Sequence, residues 1–165
     1  MNIPLPQTAT ERLIAIDGVI NFRDIGGYVN PDGQQVRWGK AYRSAQLDRL
    51  SERGITQLRD LEVKTVVDLR FTEETMKYPT VAAAVPKAQM LSWHDERNVE
   101  CGPRSEKMLQ SWRDSLESGQ PEIVREAMRI NYPQKLYSHA AIYRRMLLAL
   151  IEEETPLVFH CAAGK

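Results

Sequence analysis

LVFHCAAGK, residues 157 to 165, places four largely apolar residues directly before a histidine-cysteine pair, two alanines, a glycine and a lysine. Thr155-Pro156 punctuates the chain just upstream, so Leu157–His160 reads as a short buried strand that starts abruptly. Small residues after Cys161 then allow a tight loop at the strand's carboxyl end. A similar pattern occurs earlier. VKTVVDLR, residues 63 to 70, has β-branched Val66 and Val67 in an apolar run that ends in a charged tip. Two buried strands with helical sequence between them predict an α/β fold with a central, mostly parallel sheet flanked by helices. Ligands bind such sheets beyond the carboxyl ends of the strands, which brings the DLR tip and the HCAAGK tip to one site.

The helical segments support this order. Ser51 is suited to cap a helix carrying Ile55, Leu58 and Leu61. Residues 104–128 are helical in pattern but polar, with Met108, Leu109, Trp112 and Leu116 on one stripe, and a second short helix is expected after Pro121. In residues 138–154, Tyr143, Met146, Leu147, Leu150 and Ile151 recur at helical spacing behind a Ser138 cap. Near the amino terminus, NPDG at 30–33 has the chemistry of a tight turn between the extended flanks IGGYV and QQVRW, and Gly26-Gly27 permits close approach by another backbone.

Composition narrows the classes. The 165 residues suit one domain, and 22 basic against 22 acidic side chains give a formal charge of zero. That balance argues against general nucleic-acid or membrane-surface binding. Neither a membrane-spanning apolar run nor a secretory signal is present in the sequence, so a cytoplasmic location is the expectation. Cys101 and Cys161 are too few and too far apart for a disulfide framework, and no ligand spacing suggests a metal.

The loop itself carries the chemistry. A free thiol is only a few per cent thiolate at neutral pH, so a nucleophilic cysteine needs its anion stabilised. Successive inward-facing backbone N–H groups in a strand-to-helix loop do this, and the same groups cradle phosphate oxygens. Ala162, Ala163 and Gly164 keep those amides accessible, His160 can orient the loop, and Lys165 adds positive charge.

At this point HCAAGK resembles the start of the cysteine-based phosphatase signature HCxxGxxR. It is similar in particular to the HCxxGKDRTG loop of the atypical bacterial and fungal tyrosine and lipid phosphatases. NFRDIGG (residues 21–27), YRSAQL (42–47), VVDLR (66–70) and LVFHCAAGK occur in that family's order, so the resemblance spans residues 21–165. It implies a single phosphatase domain over 1–165 with a helical lid near 104–132. It also implies hydrolysis of phosphotyrosine, and of phosphoinositides, through a phosphocysteine intermediate without metal or cofactor. Cys161 would be the nucleophile and Ala162, Ala163, Gly164 and Lys165 the phosphate cradle. Asp68 would hold the Lys165 ammonium, and His160, Arg23 and Asp24 would support the site from behind. The expected partners are a phosphorylated protein or a phosphoinositide.

The family loop continues with Asp, Arg, Thr and Gly, which this sequence does not contain after Lys165. The arginine clamps the transferring phosphoryl group and the aspartate is suited to general-acid work. Two expectations follow. The domain lacks its C-terminal helices, leaving one face of the two strands short of cover. The chain alone is catalytically silent, a binding partner at most for a missing C-terminal segment. A rhodanese-like sulfurtransferase also places a cysteine on a loop after a strand, but NFRD and the Gly-Lys pair count against that reading.

Overall fold

The computed structural model describes residues 11–92, 106–152 and 154–165. Ten elements frame the site: β1 (Arg23–Asp24), β2 (Ala41–Ser44), α1 (Glu52–Asp60), β3 (Thr65–Asp68), α2 (Thr72–Lys77), β4 (Gln89–Ser92), α3 (Glu106–Glu117), α4 (Pro121–Ser138), α5 (Ala140–Ile151) and β5 (Leu157–His160). The strands form one sheet in the order β1-β2-β5-β3-β4, parallel except for antiparallel β1. The α/β architecture with a mostly parallel sheet and flanking helices is therefore as the sequence predicts. The strand formed last in the sequence, β5, lies at the centre, between β2 and β3.

Each face of the sheet has its own apolar layer. On one side Val66, Val158, Tyr42 and Phe22 pack with Leu58 and Leu61 of the α1 region and with Leu47. On the other, Val67, Leu157 and Leu91 pack with Ile142 and Ala149 of α5. The alternation follows from the strand period, which sends neighbouring residues to opposite faces. The expectation that one face of β3 and β5 lacks cover is corrected here, because α5 covers the second face.

Local sequence accounts for most boundaries. Ser51 accepts a hydrogen bond from the Gly54 amide at 3.0 Å and caps α1. The 28–36 segment closes as a narrow hairpin, with Val29 bridging Gln35 and Gly33 at φ 79°. Gly26 and Gly27 lie beneath Trp38, where an added Cβ would meet that residue at 2.6 and 2.1 Å.

Three helical readings need correction. The helix after Pro121 is long, because α4 runs 18 residues straight through Pro133. Ser138 ends α4 instead of capping α5, whose cap position is His139. The apolar face of α5 is also wider than the surface it meets: Ile142 and Ala149 are buried, whereas Leu147 and Ile151 are exposed. In the proposed 104–132 lid, Leu116 is exposed, while the side chains of Met108 and Leu109 lie outside the described set, as do Cys101 and His94.

Candidate active site

Parallel pairing sets the geometry. In register, Ser44, His160 and Asp68 stand side by side at the carboxyl ends of β2, β5 and β3. One residue earlier, Arg23, Arg43 and Phe159 form a row across β1, β2 and β5. Cys161 follows directly on β5, half-buried, and residues 162–165 turn over the ends of β1 and β2.

The loop is held by its carbonyl groups. The Gln46 amide donates to the Ala162 carbonyl at 3.3 Å. Asn21 Nδ2 donates to the Ala163 and Gly164 carbonyls at 3.3 and 3.2 Å, and Arg23 Nη1 donates to the Gly164 carbonyl at 2.9 Å. Arg43 Nη2 donates to the Lys165 carbonyl at 2.7 Å. A trans peptide is planar, with N–H opposite the preceding C=O. Fixing the carbonyls of residues 162–164 toward Gln46, Asn21 and Arg23 therefore turns the N–H groups of Ala163, Gly164 and Lys165 the other way. Gly164 is needed twice over, at φ 72° and with its α-carbon against the Ser44–Ala45 backbone.

Asp24 and Arg23 diverge, as successive strand residues must. Buried Asp24 accepts from the Gly26 and Gly39 amides, both at 2.7 Å, and so ties β1 to the turn before β2. Burial raises its pKa above the usual carboxylate value, although those two amides and Arg12 oppose the shift. Arg23, by contrast, reaches the loop after β5, at the Gly164 carbonyl.

Asp68 is committed to Arg70. Arg70 Nε and Nη2 donate to its two carboxylate oxygens at 2.9 and 2.7 Å, and Arg70 also bonds the Tyr78 carbonyl and Thr80 hydroxyl. Burial works to raise the Asp68 pKa, but the Arg70 hydrogen bonds and nearby positive charge bring it below the ordinary value. The described contacts of Asp68 are thus with Arg70 and, more distantly, His160. Lys165 is exposed at the loop's outer edge.

His160 is fully buried, its Nε2 3.7 Å from Asp68 Oδ2, and among the described residues neither ring nitrogen has a hydrogen-bond partner. Burial pushes its pKa down to about 4, against the pull of the Asp68 carboxylate. It is therefore neutral at pH 7. Among the described residues no group of three or more His, Cys, Asp or Glu side chains could hold a metal ion, and no helix is long and apolar enough to cross a membrane.

Arg43 is the site residue that sequence reasoning passed over. Its Nη2 lies 2.8 Å from Cys161 Sγ. YRSAQL was noticeable as a motif, but nothing local in it says that its arginine reaches a cysteine 118 positions later.

A family model described as "Tyrosine phosphatase family" matches residues 14–165. A protein of Cupriavidus necator (strain ATCC 17699) named "Putative tyrosine-protein phosphatase" is 28% identical over 152 residues, covering 92% of this chain and 52% of the relative. The chain thus spans about half the length of that curated relative.

Proposed function

Because the chain belongs to the tyrosine phosphatase family, we propose that it supplies the nucleophile and phosphate cradle of a cysteine-dependent phosphomonoesterase. The observation that carries this reading is the juxtaposition of Cys161 with a loop whose Ala162, Ala163 and Gly164 carbonyls are held by Gln46, Asn21 and Arg23. A phosphoryl group seated on the amides of Ala163, Gly164 and Lys165 would have its non-bridging oxygens hydrogen-bonded where charge develops.

The reaction then divides into two displacements. The Cys161 thiolate forms an S–P bond as the P–O bond to the substrate alcohol breaks, and the leaving oxygen takes a proton from solvent water. Water then attacks the phosphocysteine, releases inorganic phosphate and returns the sulfur to its starting state. Phosphotyrosine is the substrate class we favour. The exposed ammonium of Lys165, at the rim of the cradle, suits a polyanionic head group as well and extends the proposal to phosphoinositides. The lid expected over residues 104–132 would take in α3 and the first part of α4.

Trapping tests this without requiring full turnover. Incubation with an aryl phosphate, acid quenching and peptide mass spectrometry should place one phosphoryl group on Cys161. Cys161→Ser should carry none and release no phosphate. Wild-type rates of phosphate release from the Cys161→Ser protein would sink the proposal.

A further inference from the structure

Arg43 sits in an unusual position for a guanidinium. Only 8% of the residue is exposed, and its Cζ lies 5.2 Å above the centre of the Phe159 ring. It neighbours Arg23 directly across the antiparallel β1–β2 pair, an arrangement in which like charges repel. A buried cation beside another cation requires compensation from its acceptors. Arg43 Nη1 donates to the Phe159 carbonyl at 3.2 Å, and Nη2 to the Lys165 carbonyl at 2.7 Å and to Cys161 Sγ at 2.8 Å. The Phe159 carbonyl is neutral, and the Cys161 sulfur is the one side-chain acceptor among the three.

The same side chain touches three points of the catalytic segment: the residue two before the cysteine, the cysteine itself and the residue four after it. A planar fork can do this in one rigid unit, which an ammonium cannot. Arg23 lacks the feature, since its described bonds go only to the carbonyls of Asn21 and Gly164.

We propose that Arg43 prepares Cys161 as the nucleophile, pairing with its sulfur while holding the loop at residue 165 through the backbone oxygen of Lys165. The inference rests on the phosphatase reading only in taking Cys161 as the reactive residue. It assigns to the YRSAQL segment a direct part in preparing the nucleophile. When a phosphoryl group is attacked, the sulfur's charge passes into the S–P bond and Nη2 becomes free to meet a phosphate oxygen.

Alkylation of Cys161 in the chain itself tests this, with neutral iodoacetamide and anionic iodoacetate compared at pH 7. Arg43→Gln should slow reaction with iodoacetamide about tenfold, the scale of one charge-assisted hydrogen bond. Loss of the local positive charge should slow iodoacetate by about a further threefold. Arg43→Lys should restore the preference for iodoacetate without restoring the full rate, an outcome that a purely structural role would not produce. A folded Arg43→Gln protein with both rates within about twofold of wild type would overturn the proposal, since the lost bond is a charge-assisted one. Should Arg43→Gln fail to fold, the wild-type protein decides: an iodoacetate-to-iodoacetamide ratio no higher than that of a small free thiol also overturns it. Protection of Cys161 by inorganic phosphate reports separately on the phosphatase reading. Protection with unchanged Arg43→Gln rates removes the role of Arg43 alone. Altered Arg43→Gln rates without protection support the role of Arg43 and count against the phosphatase.

Discussion

Gly164 shows how much a single position can be asked to do. Its φ of 72° is a conformation that side chains disfavour, and a Cβ there would approach the Ala45 nitrogen at 2.6 Å. Gly164→Ala should therefore lose about 1–3 kcal/mol locally through strain and displacement of the loop. The expected result is a nearly unchanged far-UV spectrum with abolished phosphate protection of Cys161, measured by alkylation. The need for glycine was legible in HCAAGK. Its restraints were not, because Asn21 and Arg23 bond Gly164 across sequence separations of 143 and 141. The same distance hid Arg43, whose partner choice depends on which strand inserts beside β2.

At the scale of elements, the strands with continuous apolar sequence were the readable ones. β3 and β5 were visible because burial on both faces demands unbroken Val, Leu and Phe. β4 was not, since edge position leaves Gln89 and Met90 exposed and blurs the pattern. α4 was expected to be short, yet it runs 18 residues and passes through Pro133, a residue type that ordinarily interrupts a helix. The tip of β3 yields a prediction that belongs to this level. Asp68 and Arg70 meet two residues apart as a buried bidentate pair, with Arg70 also pinning the Tyr78 carbonyl after α2. Arg70→Met strands a carboxylate in the interior and should cost about 3–5 kcal/mol, read from urea unfolding. Arg70→Met combined with Asp68→Leu should recover much of that loss, because the uncompensated charge is gone.

For the molecule as a whole, the layered architecture followed from the order of the elements, whereas the completeness of its cover did not. The helical spacing of α5 was clear, but which part of its broad apolar face would meet the sheet is a tertiary choice that periodicity does not make. Global stability should carry the imprint of His160. Its folded pKa of about 4 lies below the ordinary 6.5, so the unfolded chain binds the extra proton between those values. Stability is then complete above about pH 6.5 and falls as pH drops toward 4, by about 2 kcal/mol between pH 7 and pH 5. Asp68, with its lowered pKa, adds a loss only at still lower pH, below the ordinary carboxylate range. Urea titrations at several pH values should show this slope, and His160→Asn should flatten it between pH 5 and 7.

The central place of β5 has a kinetic consequence. Before that strand inserts, the sheet is two separate pairs, β1 with β2 and β3 with β4, sharing no ladder of hydrogen bonds. β5 bridges them and in the same movement delivers Cys161 to Arg43, Asn21 and Arg23. Closing contacts across more than a hundred residues is slow and comes late when it must draw preformed pieces together. The Cys161 sulfur is thus brought to Arg43 by the same event that completes the sheet.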